Sequence, residues 1–265
     1  MAKFTTSDHV SINYHDVGGK LNPPIVLATG YSSSEVTWLY QVEPLLAAGF
    51  RVITYDHRAH GASSQVEYGL TAARLAMDLH ELLDYLELEY VILIGHSMGA
   101  VVVMTYETLF TDQRLRAIVT EDQNPTIMQH DDWLGGKSGL NYTDIPVFMG
   151  RLPQLRLMVQ PLSETMKRAM QPTSFPFNFK VGRTLLLDTV VQDWRATLKQ
   201  EQVPHLFIAG ERSPLYPAEH AQAARMLQNN ANSRAYVIPN VGHIPHLENV
   251  DKFNRLLLEF LTNLA

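Results

Sequence analysis

The chain has 265 residues, 46% hydrophobic and 18% charged, with a formal net charge of −6 and no cysteine. Disulfides, cysteine-based metal sites and thiol nucleophiles are therefore excluded, and the absence of any lysine or arginine cluster disfavours a polyanionic partner such as nucleic acid. No apolar run approaches the roughly 18 residues of a membrane span, and Met1 to Ser11 holds one lysine and no apolar core, so the expectation is a soluble cytoplasmic protein without a secretory signal, monomeric or homodimeric.

In chain order, alternating segments at Phe4 to Thr6 and Ser11 to Asp16, separated by Asp8-His9, predict a β-hairpin. After Pro23-Pro24 comes the short continuous apolar run Ile25 to Ala28, a pattern that suits a strand covered on both faces. The same pattern recurs at Arg51 to Tyr55, Tyr90 to Ile94, Leu115 to Thr120, His205 to Ala209 and Arg234 to Ile238. Leu75, Leu79, Leu82, Leu83 and Leu86 fall on one helical face, as do Phe253, Leu256, Leu257, Phe260, Leu261 and Leu264. Strands alternating with helices predict an α/β fold, a mostly parallel sheet with helices on both faces.

The alternation stops between about residues 125 and 200. Pro146, Pro153, Pro161, Pro172 and Pro176 punctuate that stretch, with Trp133, Phe148, Met149, Met158, Met166, Met170, Phe175, Phe177 and Phe179 scattered through it. A structureless loop of such length is improbable in a compact domain, so several short helices are expected there, forming a cap. The predicted organisation is a core of residues 1–124 and 201–265 with a helical cap insertion at 125–200. Some of the cap's Met and Phe side chains are expected to line an apolar pocket.

The chemistry centres on Gly95-His96-Ser97-Met98-Gly99, between the apolar run ending at Ile94 and the apolar stretch Ala100 to Met104. This is G-x-S-x-G in its required setting, a sharp strand-to-helix turn that lifts a serine hydroxyl clear of the sheet. A hydroxyl is a poor nucleophile until a base takes its proton, so Ser97 needs a histidine, and the histidine needs a carboxylate to orient it. Of the eleven histidines, His243 fits best, in the loop between the strand at Arg234 to Ile238 and the last helix. His246, three residues on, is the alternative base, and His96 is expected to pack against or fix the turn. Two places offer the carboxylate, each after a strand: Glu121-Asp122, and Glu211 after Gly210. Alternation along the strand aims Glu121 and Asp122 to opposite sides.

Four stretches in order, Ile25 to Tyr31 with Trp38 beyond, Asp56-His57-Arg58-Ala59-His60-Gly61-Ala62-Ser63, the turn at Ser97, and Gly242-His243-Ile244-Pro245-His246-Leu247-Glu248, make the chain resemble the α/β-hydrolase superfamily. The likeness is to its small carboxylesterases and cofactor-free haloperoxidase-like hydrolases. Most relatives carry the acid as an aspartate at the position of Ser213. Some esterases place it instead in a D-x-x-P turn after the strand that follows the elbow helix, which Asp122-Gln123-Asn124-Pro125 resembles. The resemblance thus implies Asp122 as the acid, with Ser213 adding a hydrogen bond and Glu211 as runner-up. It also implies an oxyanion hole from the backbone N–H groups of Met98 and Tyr31. The family's usual His-Gly is Thr29-Gly30 here, which alters the surroundings of that loop. His57, Arg58 and His60 are expected to build a rigid turn below the site.

The expected function is hydrolysis of a carboxylic ester or thioester of a small, largely apolar molecule through an acyl-enzyme, with no metal or organic cofactor. Lactone hydrolysis, carbon–carbon bond cleavage and perhydrolysis are alternatives on the same residues, as is a non-catalytic ligand-binding protein on this fold.

Overall fold

The computed structural model describes residues 2–130, 133, 139–170 and 177–264. Among them the strands are β1 (Ala2–Thr5), β2 (Ser11–Val17), β3 (Pro24–Ala28), β4 (Arg51–Tyr55), β5 (Val91–His96), β6 (Leu115–Glu121), β7 (His205–Gly210) and β8 (Arg234–Ile238). They form one sheet in the order β1-β2-β4-β3-β5-β6-β7-β8. The β1–β2 and β2–β4 pairings are antiparallel and the rest are parallel. From β3 the chain steps to one side for β4 and returns to the other for β5, so the topology reverses at β3. Crevices at the carboxyl ends of strands beside such a reversal are where ligands bind in open α/β sheets.

The expected strand at Tyr90 to Ile94 is displaced. Tyr90 is 73% exposed with φ +53°, outside the ladder, and pairing continues through Gly95 and His96. The strand runs into the turn itself because the glycine and histidine still pair with β6.

The helices around the sheet are α1 (Leu39–Ala47), α2 (Ala72–Tyr85), α3 (Met98–Phe110), α4 (Ile145–Arg151), α5 (Glu164–Met170), α6 (Phe179–Val190), α7 (Arg195–Gln200), α8 (His220–Leu227), α9 (Pro245–Glu248) and α10 (Val250–Thr262). Leu75, Leu79 and Leu82 of α2 pack with Val102, Val103 and Tyr106 of α3 on one face of the sheet. Phe253, Leu256 and Phe260 of α10 bury against Ile25, Ile92 and Ile208 on the other. Each such apolar side chain contributes about 1.5–3 kcal/mol when fully buried. α3 is buried continuously from Met98 to Glu107, which is why its sequence is apolar on every side.

Of the insertion, α4 and the end of α6 share a small cluster of Met128, Ile145, Met149 and Val190. α7 packs differently: Trp194 and Leu198 join Phe207 of β7 and Ala221 of α8. Pro172, Phe175 and Pro176 lie outside the described residues. No helix among the described residues is long and apolar enough to cross a membrane.

Candidate active site

Ser97 sits between β5 and α3 at φ +51°, ψ −117°, a backbone conformation that costs a non-glycine residue on the order of 1–3 kcal/mol and that its surroundings must hold in place. The flanking glycines explain how. A Cβ on Gly95 would run into the Gly99 backbone, and one on Gly99 into the carbonyl of Ala28. Only with both side chains absent can the start of α3 press onto β3 and β5. The Ser97 N–H donates to the Glu121 carbonyl at 2.9 Å, tying the turn to β6.

The structure brings three residues together. Ser97 Oγ lies 2.8 Å from His243 Nε2, and His243 Nδ1 lies 2.7 Å from Asp122 Oδ2. His243 is pinned through its backbone, its N–H donating to the Leu157 carbonyl at 2.8 Å and its carbonyl accepting from His96 Nε2 at 2.8 Å. Asp122 is wholly buried, with φ +45° just past the end of β6. Its Oδ1 accepts the Gly210 N–H at 2.8 Å, its Oδ2 accepts the Ser213 hydroxyl at 2.5 Å, and His220 Nε2 stands 3.7 Å from Oδ1. Burial alone would raise its pKa, but the His220 and His243 side chains outweigh burial and hold the carboxyl well below the usual range. Asp122 is therefore charged at any ordinary pH.

Glu211 is not part of this arrangement. Its exposed carboxylate takes the Asn240 N–H at 2.8 Å in the turn after β8, away from His243. His246 is not at Ser97 either. It is buried, its Nδ1 is 2.8 Å from Glu121 Oε2, and its ring stacks on Trp38 at 4.2 Å. Burial pushes His246 down to about 3, which keeps it neutral. Glu121 and Asp122 do face opposite ways, each toward its own histidine.

Helix α3 begins at Met98, so its N–H lacks a helical acceptor and points out of the first turn beside Ser97. Tyr31 follows Gly30, where an added Cβ would meet His96 and would lie 3.5 Å from the Ser97 Cβ. The loop holding Tyr31 is fixed by His57, whose Nε2 donates to the Thr29 carbonyl at 3.0 Å, while burial pushes His57 down to about 3 and keeps it neutral. A histidine thus steadies this loop even though residue 29 is threonine. Arg58 anchors the turn below, bound at Nε and Nη2 to Asp78 and at Nη1 and Nη2 to Asp8.

Several contributors have roles that the sequence reading did not assign. Glu248 accepts four backbone N–H groups, from Gly242 at 2.9 Å, Ile244 at 3.1 Å, Val159 at 2.7 Å and Gln160 at 2.9 Å. It locks the His243 loop to the segment that also supplies Leu157. Tyr216 donates to Gln123 Oε1 at 3.0 Å, with its ring 6.2 Å from that of His243. Val159 and Gln160 are far along the chain from Glu248, as Gln123 is from Tyr216, so only folding identifies these pairs.

Above Ser97 lies a cavity of about 570 Å³. Phe148, Met149, Leu152, Leu157, Phe179 and Leu186 line it from the insertion, and Tyr31, Met98, Tyr216 and His243 from the sheet edge. Among the described residues no cluster of His, Asp and Glu is arranged to hold a metal ion.

A family model described as the alpha/beta hydrolase family matches residues 25–256. A Synechocystis sp. protein provisionally named a non-heme chloroperoxidase is 31% identical over 268 residues, spanning 95% of this chain and 95% of its own length. Among solved structures, a bromoperoxidase from Bacillus anthracis superposes with a TM-score of 0.84 at 27% identity, over 98% of this chain and 100% of that one. An esterase from Exiguobacterium antarcticum superposes with a TM-score of 0.85 at 22% identity, over 98% of each chain, a likeness of fold.

Proposed function

Since this chain belongs to the alpha/beta hydrolase family, we propose that it is a serine hydrolase that cleaves a carboxylic ester or thioester of a small, largely apolar molecule. The observation that carries the reading is the unbroken hydrogen-bonded line from Ser97 through His243 to Asp122 at the floor of a mostly apolar cavity.

In this reading Ser97 Oγ attacks the ester carbonyl carbon while its proton passes to His243 Nε2. The carbonyl π pair moves onto oxygen, and the backbone N–H groups of Met98 and Tyr31 hold the resulting oxyanion. The oxyanion collapses, the bond to the leaving oxygen or sulfur breaks, and His243 returns the proton to the departing group. Water then attacks the acyl-serine with the same proton route, releasing acid and free Ser97. Asp122, charged throughout, keeps the His243 tautomer that presents a bare Nε2 to the serine and stabilises the imidazolium in each half-reaction. The segment from 125 to 200 acts in this reading as the cap, excluding water and holding the apolar part of the substrate.

The test is a series of p-nitrophenyl esters together with a fluorophosphonate probe. Steady release of p-nitrophenol and stoichiometric labelling at Ser97, both lost in Ser97→Ala, are expected. An unlabelled Ser97 in folded protein would replace this reading with that of a ligand-binding protein on the same fold.

A further inference from the structure

We infer that the molecule cleaved here carries a carboxylate remote from the ester, received at one end of the cavity by Lys180 and Arg183 of α6. The inference rests on the reading of Ser97 as nucleophile and adds the substrate class.

Among the described residues the cavity wall contains no aspartate or glutamate, and apart from histidine its charged residues there are Lys180 and Arg183. They lie three positions apart on α6 and so share a face, which Leu186 and Val190 continue. One wall of the cavity therefore changes along its length from cationic to apolar. An uncharged substrate gives the cationic part no partner, whereas an apolar body ending in a carboxylate matches both parts.

Neither cation makes an ion pair or side-chain hydrogen bond with any described residue, in a chain whose net charge is −6. Arg51, Arg58, Arg74 and Arg114, by contrast, are each held by carboxylates. Both Lys180 and Arg183 are exposed. An anion meeting them at the cavity mouth stays partly hydrated and avoids the desolvation cost of a buried ion pair. Arg183 can take a carboxylate through two parallel N–H donors and Lys180 can add a point charge.

Their position relative to the reacting serine is fixed through Tyr31. Gly182, between the two cations, packs so closely on the Tyr31 hydroxyl that a Cβ there would come within 2.9 Å of it. Burial pushes the Tyr31 phenol up to about 12, and Arg183 is near enough to oppose that rise. Gly30, the residue before Tyr31, lies beside Ser97, an added Cβ there falling 3.5 Å from the Ser97 Cβ. The cationic end is thus on the oxyanion side of the cavity, within a small molecule's length of the bond to be broken.

A matched pair of esters tests this: p-nitrophenyl hexanoate and the mono-p-nitrophenyl ester of adipic acid, which share a six-carbon acyl group and differ by a terminal carboxylate. The wild-type protein is expected to favour the adipate ester in kcat/KM. In Lys180→Gln/Arg183→Gln the adipate-to-hexanoate ratio is expected to fall about tenfold, mainly through KM. The wild-type preference should also shrink in salt, as exposed charges are screened. A ratio unchanged in the double variant overturns the proposal. Binding of monomethyl adipate and methyl hexanoate to Ser97→Ala, measured by calorimetry, reads the same subsite without turnover. Tighter adipate binding that is lost with the two cations supports it even if neither ester is cleaved, an outcome that would defeat only the reading of function; equal binding of the two overturns it even if both are cleaved.

Discussion

The Glu121 carboxylate grips His246 twice, accepting its backbone N–H at 2.7 Å and facing its ring Nδ1 at 2.8 Å. The next residue, Asp122, faces His243, three positions before His246, at 2.7 Å. Neighbouring carboxylates at the end of β6 thus hold two histidines three residues apart, His246 of α9 buried against Trp38 and His243 of the loop before it beneath the cavity. Glu121→Ala would leave a buried N–H without an acceptor, which costs about 1–3 kcal/mol. The expected result is a stability loss of that size in urea unfolding, with Glu121→Gln, which keeps an acceptor, retaining more of it. Equal losses in the two variants would mean that Glu121 serves by filling space.

The two acid candidates separate by mutation. Asp122→Asn should lower kcat by roughly four orders of magnitude, because an amide cannot hold the required histidine tautomer or stabilise its cation. Glu211→Gln should change kcat less than about threefold, since that side chain is exposed and bonded to the Asn240 N–H, not to His243. Steady-state kinetics on one p-nitrophenyl ester decide the matter, and the reverse pattern would move the role to Glu211.

Ser213 touches the same carboxylate oxygen as His243, at 2.5 Å from Asp122 Oδ2. A carboxylate placed at 213 would therefore stand close to His243 Nδ1. The double variant Asp122→Asn/Ser213→Asp is expected to recover at least about tenfold of the activity lost in Asp122→Asn alone, because the triad is defined by geometry and not by chain position. No recovery in a folded double variant would show that residue 213 cannot address the ring.

Outside the cavity lining, Glu107 and Glu201 are buried side by side, with His205 Nδ1 at 3.0 Å from Glu201 Oε2. Burial pushes Glu107 up to about 11, its neighbour Glu201 adding to the rise, and burial pushes Glu201 up to about 8. Both values lie above those of the unfolded chain, so the folded state binds protons more tightly. The stabilisation is complete below about pH 4.5, the ordinary glutamate range, and is lost progressively above it, until about 8 for Glu201 and about 11 for Glu107. Stability should fall between pH 6 and 9 by up to about 1.4 kcal/mol per pH unit for each proton released. Denaturant midpoints of wild type and Glu107→Gln/Glu201→Gln across that range provide the check; parallel curves would mean that the pair shares no proton.

The chain by itself determined the parallel sheet, because strands covered on both faces must be continuously apolar, as Ile25 to Ala28 and Val91 to Ile94 are. It also determined the serine turn, since backbone contact between α3 and β3 admits only glycine at 95 and 99. It favoured Asp122 over Glu211 as the carboxylate for His243 only through the likeness of Asp122-Gln123-Asn124-Pro125 to a D-x-x-P turn. Asp122 and Glu211 each follow a strand, and that position alone does not distinguish them. That choice was made by the tertiary structure, where a left-handed backbone at Asp122 and the donors of Gly210 and Ser213 aim one carboxylate at the ring. The roles of Glu248, the Leu157 carbonyl and the cationic face of α6 were hidden. Each acts across more than sixty residues of sequence, and such distances close only when burial of the apolar faces brings the segments together.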